Sequence, residues 1–120
     1  DKVIVLMASE TETTELLTSF DPIALKTVRA ISSEQRIGLI QPPDSIPGFD
    51  LALGLGCSDI CVPLNLCNPS YVYEAHLSGL RVTGWLGNSA YDISKLINCG
   101  VDAITTDFPS IAMSFLRWYL

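Results

Sequence analysis

The sequence has little histidine and no cluster of basic residues. Its 120 residues include one histidine, His76, and its seven lysines and arginines are scattered. Proteins that bind the nucleic-acid backbone present a basic patch, whereas this chain carries thirteen acidic residues and a formal net charge of −6. We therefore expect no nucleic-acid partner.

Long hydrophobic runs are also missing. The longest stretch of apolar residues and glycine, residues 51–57, is far shorter than the roughly 20 residues of a membrane-spanning helix, so we expect no transmembrane segment. No basic-then-apolar leader is visible, and the chain begins at Asp1 as an excised fragment would. The hydrophobic share of 48% suits a globular α/β protein with a well-buried sheet.

The four cysteines lack the spacing of a metal site. Cys57 and Cys61 have no histidine near them in the sequence, and no second closely spaced ligand pair is present, although zinc sites usually need one. We interpret these two, with Cys67 and Cys99, as small buried thiols of a reducing compartment such as the cytoplasm. This chain alone is expected to bind no metal.

Short apolar runs recur about every 20 residues, which is the length of one strand plus one helix. Five of them predict strands, at residues 15–20, 36–40, 59–64, 81–86 and 101–106. They show little strict alternation, as expected for parallel strands covered on both faces. A further run at residues 1–8 predicts an extra or edge strand, followed by a polar connection at residues 9–14.

The segments between the runs carry helix start and stop signals. Asp21 and Asn68 each precede a proline, which favours an N-cap followed by proline in the first turn. Gly79 and Gly100 stand where two helices would end. Two further helices are predicted, around residues 50–55 and over residues 110–120.

Consecutive βα units predict a parallel sheet with right-handed crossovers. Both an open doubly wound sheet and an arc of a (βα)8 barrel fit. Since a whole barrel needs roughly 250 residues, this chain would supply about half of one. In either architecture ligands bind at the carboxyl ends of the strands, where this sequence places no histidine, lysine or pair of carboxylates.

Three blocks of sequence resemble the glycerophosphodiester phosphodiesterase family. LLTSFDPIALKTVRA (residues 16–30) resembles its Ser-Phe-Asp strand end and the helix that follows. EAHLSGLRVTGWLGN (residues 74–88) resembles its Ala-His-x-x-Gly-Leu-x-Val segment and Trp-Thr-Val-Asn strand end. NCGVDAITTDFPS (residues 98–110) resembles its closing Gly-Val-Asp-Gly-Ile-x-Thr-Asp-x-Pro. The blocks occur in the family's order.

This resemblance implies that residues 1–120 form one partial domain, the C-terminal half of a TIM barrel. The family's His-Arg-Gly segment, its acidic pair for a divalent metal (Ca²⁺ or Mg²⁺) and its second histidine belong to the other half. The intact protein would hydrolyse glycerophosphodiesters to glycerol phosphate and an alcohol, and this half would close the barrel and line the pocket. His76 matches only the helical Ala-His position and inherits no catalytic role.

Two alternatives remain open. One is a degenerate, non-catalytic barrel that acts as a binding or scaffolding module. The other is a different TIM-barrel enzyme, because Gly-Val-Asp-Ala-Ile turns occur in many barrels. The partner of this chain would be the N-terminal half of the barrel or a second copy of the chain. Two departures from the family pattern, the pair Leu86-Gly87 and Ala103, put the substrate contacts in question, and Gly87 is expected to loosen the rim.

Trp85 and Phe20 are the candidate substrate-binding residues, because an aromatic side chain at a barrel mouth can pack against glycerol or a head group. A structural role competes in each case: Trp85 would pack on a neighbouring strand, and Phe20 would form a hydrophobic staple with Leu25. Asn88 is interpreted as orienting its loop, and Asp107 as the N-cap of the last helix. No catalytic residue or metal ligand is assigned to this chain.

Overall fold

Strands and helices alternate along the chain, as the spacing of the apolar runs predicts. The structure, a computed structural model, describes residues 3–6, 16–42 and 46–119. Its strands are β1 (Val3–Leu6), β2 (Leu16–Ser19), β3 (Arg36–Ile40), β4 (Asp59–Pro63), β5 (Arg81–Trp85) and β6 (Ala103–Thr106). Its helices are α1 (Pro22–Ile31), α2 (Phe49–Gly54), α3 (Pro69–Leu77), α4 (Ala90–Cys99) and α5 (Pro109–Tyr119).

The strands form one sheet in the order β1-β6-β5-β4-β3-β2. Strands β2 to β6 are neighbours in chain order, each pair is parallel, and a helix lies on every crossover. A doubly wound sheet would reverse its order at a switch point. The unbroken order confirms an α/β fold of consecutive βα units, which is an arc of a (βα)8 barrel.

β1 lies at the β6 edge of the sheet. It pairs antiparallel with β6, so that Val3 lies opposite Thr106 and Leu6 opposite Ala103. The predicted edge strand is thus confirmed over residues 3–6, whereas the polar connection at residues 9–14 lies outside the described residues. Within the described sheet, β1 and β2 are the two edge strands.

Helix ends follow the local signals. The Asp21 carboxylate accepts a hydrogen bond from the Ile23 amide at 2.9 Å, and the Asn68 side chain accepts one from the Tyr71 amide at 2.8 Å, so both predicted N-caps are confirmed. Gly100 follows α4 with a φ of 94°, a conformation that glycine adopts without steric cost. In the described part of the chain, no helix combines the length and the apolar character needed to cross a membrane.

The apolar core lies between the sheet and the helices. Strands and helices both contribute side chains to it, and its fully buried members include Ile37, Leu39, Ile60, Val62 and Val82 from the strands and Leu25, Ile93 and Leu96 from the helices. The helices therefore cover one face of the sheet, and the opposite face forms the inside of the arc.

Candidate functional site

Strand register defines the concave face of the arc. A Cβ atom built on Gly38 would lie 3.2 Å from Thr18 Cγ2 and 3.3 Å from Asp59 Cβ, so these three residues face the same side. The alternate residues Ile60 and Val82 belong to the core under the helices. Because side chains alternate along a strand, the side with Gly38 is the concave wall.

The amino-terminal end of this concave face holds an ion cluster. Asp59 has a side chain only 4% exposed. Its carboxylate accepts hydrogen bonds from Arg36 Nη2 at 3.1 and 3.3 Å and from the Ser58 hydroxyl. Arg81 Nε lies 3.8 Å from its second oxygen. A buried carboxylate held between two guanidinium groups at this end is typical of barrel stability rather than of catalysis.

The carboxyl-terminal end of the same face is largely apolar. Trp85 is the last residue of β5, and its register partners are Pro63 in β4 and Thr105 in β6. Ile40 ends β3 as the partner of Cys61. Sequence reasoning found Trp85 but missed its flanking residues. They could have been found by counting every second residue along each strand.

The backbone carbonyl of Trp85 is hydrogen-bonded, whereas its indole N–H group has no acceptor among the described residues. Its carbonyl oxygen accepts a hydrogen bond from the Leu64 amide at 2.7 Å. Its indole Nε1 is buried and has no hydrogen-bond partner within the described residues. A buried donor without an acceptor costs about 1–3 kcal/mol. We therefore expect a ligand or another part of the protein to supply an acceptor.

Phe20 lies apart from Trp85. It follows β2, three strands away from β5 in the sheet order, and its side chain is 66% exposed. The structure therefore does not bring the two aromatic candidates together. Leu25, the partner proposed for a staple, is 1% exposed. The staple and the pocket role of Phe20 both stay predictions.

Asn88 ties the end of β5 to the end of β6. Its Oδ1 accepts from the Thr106 hydroxyl at 3.1 Å and from the Asp107 amide at 2.9 Å, and its Nδ2 donates to the Asp107 carboxylate at 2.8 Å. The loop-orienting role predicted for Asn88 is confirmed. The N-cap prediction for Asp107 is wrong: α5 begins at Pro109, so Phe108 intervenes, and the carboxylate accepts from Asn88 instead.

Gly87 packs tightly, which corrects the expectation that it loosens the rim. A Cβ atom at this position would lie 2.5 Å from Ile104 Cγ2 and 3.1 Å from Ile93 Cγ1. The Gly87 amide also donates to the Thr105 carbonyl at 2.9 Å. Glycine is required here because the backbone approaches the core closely.

His76 has a partner that the sequence analysis missed. Its Nε2 lies 2.7 Å from Asp102 Oδ2, and the same oxygen accepts from the Val82 amide at 2.8 Å. The Asp102 amide in turn donates to the Val82 carbonyl at 2.8 Å. Asp102 thereby extends the pairing of β5 and β6 at their amino-terminal ends, and His76 lies at the opposite end of the sheet from Trp85.

The thiols and carboxylates do not converge on a metal site. All four cysteines are free and buried, as predicted, and burial raises the pKa of the Cys61 thiol to about 12, so this thiol is protonated at neutral pH. Across residues 3–6, 16–42 and 46–119, no three His, Cys, Asp or Glu side chains lie together as metal ligands would. These residues therefore do not fit a divalent metal.

Comparison with known proteins relates this chain to phosphodiesterases. The model of the Glycerophosphoryl diester phosphodiesterase family matches residues 2–111. The glycerophosphodiester phosphodiesterase of Caldanaerobacter subterraneus subsp. tengcongensis is 22% identical over 102 residues, which are 85% of this chain and 42% of that protein.

Two solved structures share the fold. A phosphodiesterase of Oleispira antarctica, in complex with the product sn-glycerol-3-phosphate, gives a TM-score of 0.79 at 22% identity over 90% of this chain and 44% of its own. A glycerophosphodiester phosphodiesterase of Parabacteroides distasonis gives 0.73 at 19% identity over 85% of this chain and 42% of its own. The chain thus spans less than half the length of these relatives, and its arc is the C-terminal half of a TIM barrel.

Proposed function

This chain belongs to the glycerophosphoryl diester phosphodiesterase family, and we propose that it is the C-terminal half of a barrel that hydrolyses glycerophosphodiesters to glycerol phosphate and an alcohol. The activity is that named for the relative from Caldanaerobacter, and the product bound by the Oleispira relative is sn-glycerol-3-phosphate. In this proposal residues 1–120 are one partial barrel domain, which closes the barrel and supplies the apolar wall of its pocket.

The position of Trp85 is the observation that carries the pocket role. Trp85 is the last residue of β5, at the carboxyl edge of the sheet where barrel ligands bind. Its register partners are Pro63 in β4 and Thr105 in β6. Its buried Nε1 lacks an acceptor among the described residues, and a phosphate or hydroxyl oxygen of glycerol phosphate is an acceptor of the required kind. Phe20, exposed after β2, would contact the head group from the far side of the mouth.

The two halves divide the work in this proposal. The residues described here position the substrate and exclude water, because Trp85 and its neighbours are largely apolar and offer no acid or base. Proton transfer and a divalent metal, Ca²⁺ or Mg²⁺, belong to the N-terminal half. The alternative of a non-catalytic scaffold has no observation in its favour.

Substitution of Trp85 in the complete protein tests the pocket role. We expect Trp85→Ala to lower kcat/KM for glycerophosphocholine about 5- to 10-fold, since an aromatic contact contributes about 1–1.5 kcal/mol. Trp85→Phe keeps an aromatic ring without the N–H group, so it should retain part of the activity. The urea midpoint is measured on the same preparations.

If Trp85 only stabilises the fold, Trp85→Ala should change stability and kcat/KM differently. Truncation of a packed tryptophan would cost about 3–5 kcal/mol of stability and would leave kcat/KM per folded molecule unchanged, which would remove Trp85 from the pocket.

The activity itself is tested with Ca²⁺ or Mg²⁺: the complete protein should turn over glycerophosphocholine and the 120-residue chain should not. Turnover by the chain alone would contradict the division of work. An inactive complete protein would favour the scaffold.

A further inference from the structure

Two of the four buried thiols lie against one another. Cys67 lies in the loop between β4 and α3, and Cys99 is the last residue of α4. Their side chains are 3% and 7% exposed, and neither forms a disulfide. Both cysteines line the same cavity, and the neighbouring Cys99 helps to raise the pKa of the Cys67 thiol, although the two residues belong to different βα units.

Packing between two helices and the loop brings them together. Beyond the end of α4, a Cβ atom built on Gly100 would lie 3.6 Å from Val72 Cγ1 in α3, which is ordinary van der Waals contact. Lys95 Nζ, in the middle of α4, donates to the Leu64 carbonyl at 3.1 Å and so holds the loop that contains Cys67. A disulfide requires Cα atoms less than roughly 7 Å apart, and formation of the Cys67–Cys99 bond in the folded chain tests that proximity.

A cavity lies beside both cysteines. It has a volume of about 350 Å³ and is lined by the two cysteines together with Asn68, Ser94 and Lys95, among others. Its lining includes both polar and apolar side chains. A small disulfide that enters this cavity would lie next to the two cysteines.

We propose that Cys67 and Cys99 form a reversible disulfide by exchange with a low-molecular-mass disulfide of the glutathione class. One protein thiol loses its proton, and its sulfur attacks the added disulfide. A mixed disulfide forms, and one small thiol leaves. The second protein thiolate then attacks the first protein sulfur, which forms the Cys67–Cys99 bond and releases the other small thiol. The protein loses two electrons and two protons, and the reagent gains them.

The thiolate population sets the rate of this exchange. Burial raises the pKa of the Cys67 thiol to about 12, the neighbouring Cys99 adds to the rise, and Lys95 opposes it. Tyr71 of α3 also faces this thiol, and its own pKa is raised by burial first and then by Cys67. Because only the thiolate attacks, the exchange should be slow at neutral pH and should accelerate as the pH rises.

The bond would connect the carboxyl edge of the sheet to α4. The loop that holds Cys67 is attached to the Trp85 carbonyl through the Leu64 amide at 2.7 Å. A disulfide would restrain this loop relative to α4. The amides of residues 64–67 are therefore expected to exchange with solvent deuterium more slowly in the oxidised chain than in the reduced chain.

The other two cysteines provide a matched control. Cys57 belongs to the core under the helices, whereas Cys61 is buried outside that cluster, so these two thiols lie on different sides of the sheet. A Cys57→Ser, Cys61→Ser double variant is expected to form the cross-link as the unaltered chain does.

The test is oxidation of the reduced, folded chain with excess oxidised glutathione, followed by intact-mass measurement and peptide mapping. We expect a mass lower by two hydrogens, one cross-linked peptide pair containing Cys67 and Cys99, and full reversal by dithiothreitol. In Cys67→Ser and in Cys99→Ser, the remaining cysteine should form a mixed disulfide with glutathione and no internal cross-link.

Three outcomes would overturn the proposal: a cross-link to Cys57 or Cys61, an adduct without a cross-link in the unaltered chain, or a cross-link that forms only in denaturant. The mapping and the deuterium exchange use the unaltered chain, so they decide the question even if a serine variant fails to fold.

Discussion

Gly87 and Trp85 stand two residues apart at the end of β5, and opposite demands act on them. Gly87 lies against Ile104 and Ile93 on the helix side, where a side chain has no room. Trp85 lies in register with Pro63 and Thr105 on the concave side, where a large side chain can cover a ligand. Close packing therefore requires glycine at one position, whereas the other position is the one proposed to line the pocket.

At the scale of the residue, Gly87→Ala is expected to lower the free energy of unfolding by about 1–3 kcal/mol, because the added methyl group overpacks the core. Urea unfolding measures the change. Gly54→Ala is the control, since a Cβ atom there would meet nothing within 4 Å and alanine is favoured over glycine in a helix by about 0.5–1 kcal/mol. A Gly87→Ala chain as stable as the unaltered protein would mean that the backbone can move away from Ile104.

At the scale of the element, two polar side chains join β5 to β6, one at each end. Asp102 pairs with the Val82 amide at the amino-terminal end, and Asn88 pairs with Thr106 and Asp107 at the carboxyl-terminal end. Thr106 is 0% exposed, so its hydroxyl depends on partners within the protein. Asn88 therefore supports the edge from which the candidate pocket is built.

Three alanine variants separate a loop tie from a helix cap. Asn88→Ala should cost about 1–3 kcal/mol, because it removes the acceptor of a buried hydroxyl. Asn68→Ala should cost about 1 kcal/mol, as expected for a true N-cap. Asp107→Ala should change stability by less than about 0.5 kcal/mol, as at exposed positions generally. If Asp107→Ala lowered the free energy of unfolding in urea as much as Asn68→Ala does, the result would support a capping role for Asp107.

At the scale of the whole molecule, an arc of a barrel is incomplete. β1 covers the outer edge of β6, whereas the outer edge of β2 is unpaired in the described sheet. Large apolar side chains are also exposed on the helices, including Ile31 at 81% and Tyr91 at 77%. An unpaired edge and exposed apolar surface both favour association with another chain.

We therefore expect the isolated chain to self-associate at tens of micromolar, as measured by sedimentation velocity. Leu17→Lys places a charge on β2, at a residue already 46% exposed, and should reduce the association. Leu77→Lys, at a residue 71% exposed on α3, is the control for a charge placed away from that edge. A single monomeric species with cooperative unfolding would show that the arc is stable without its missing half.

The sequence by itself determined the alternation of strands and helices, the bounds of β3 at residues 36–40 and the helix N-caps Asp21 and Asn68. These features depend on apolar periodicity and on hydrogen bonds that span a few residues, so local reasoning predicts them. The resemblance of three short blocks to one family also came from the sequence, and the match over residues 2–111 confirms it. The substrate contacts of Trp85 and Phe20 stay predictions.

Only the tertiary structure decided which distant side chains meet. The pairing of Asp107 with Asn88 and of His76 with Asp102 joins residues from different βα units, and one cavity is lined by both Cys67 and Cys99. The close approach of Gly87 to Ile104 does the same. Such contacts depend on strand register and on how each helix packs over the sheet, and a pattern within one segment contains neither, because a shift of one residue turns a strand's side chains to the opposite face.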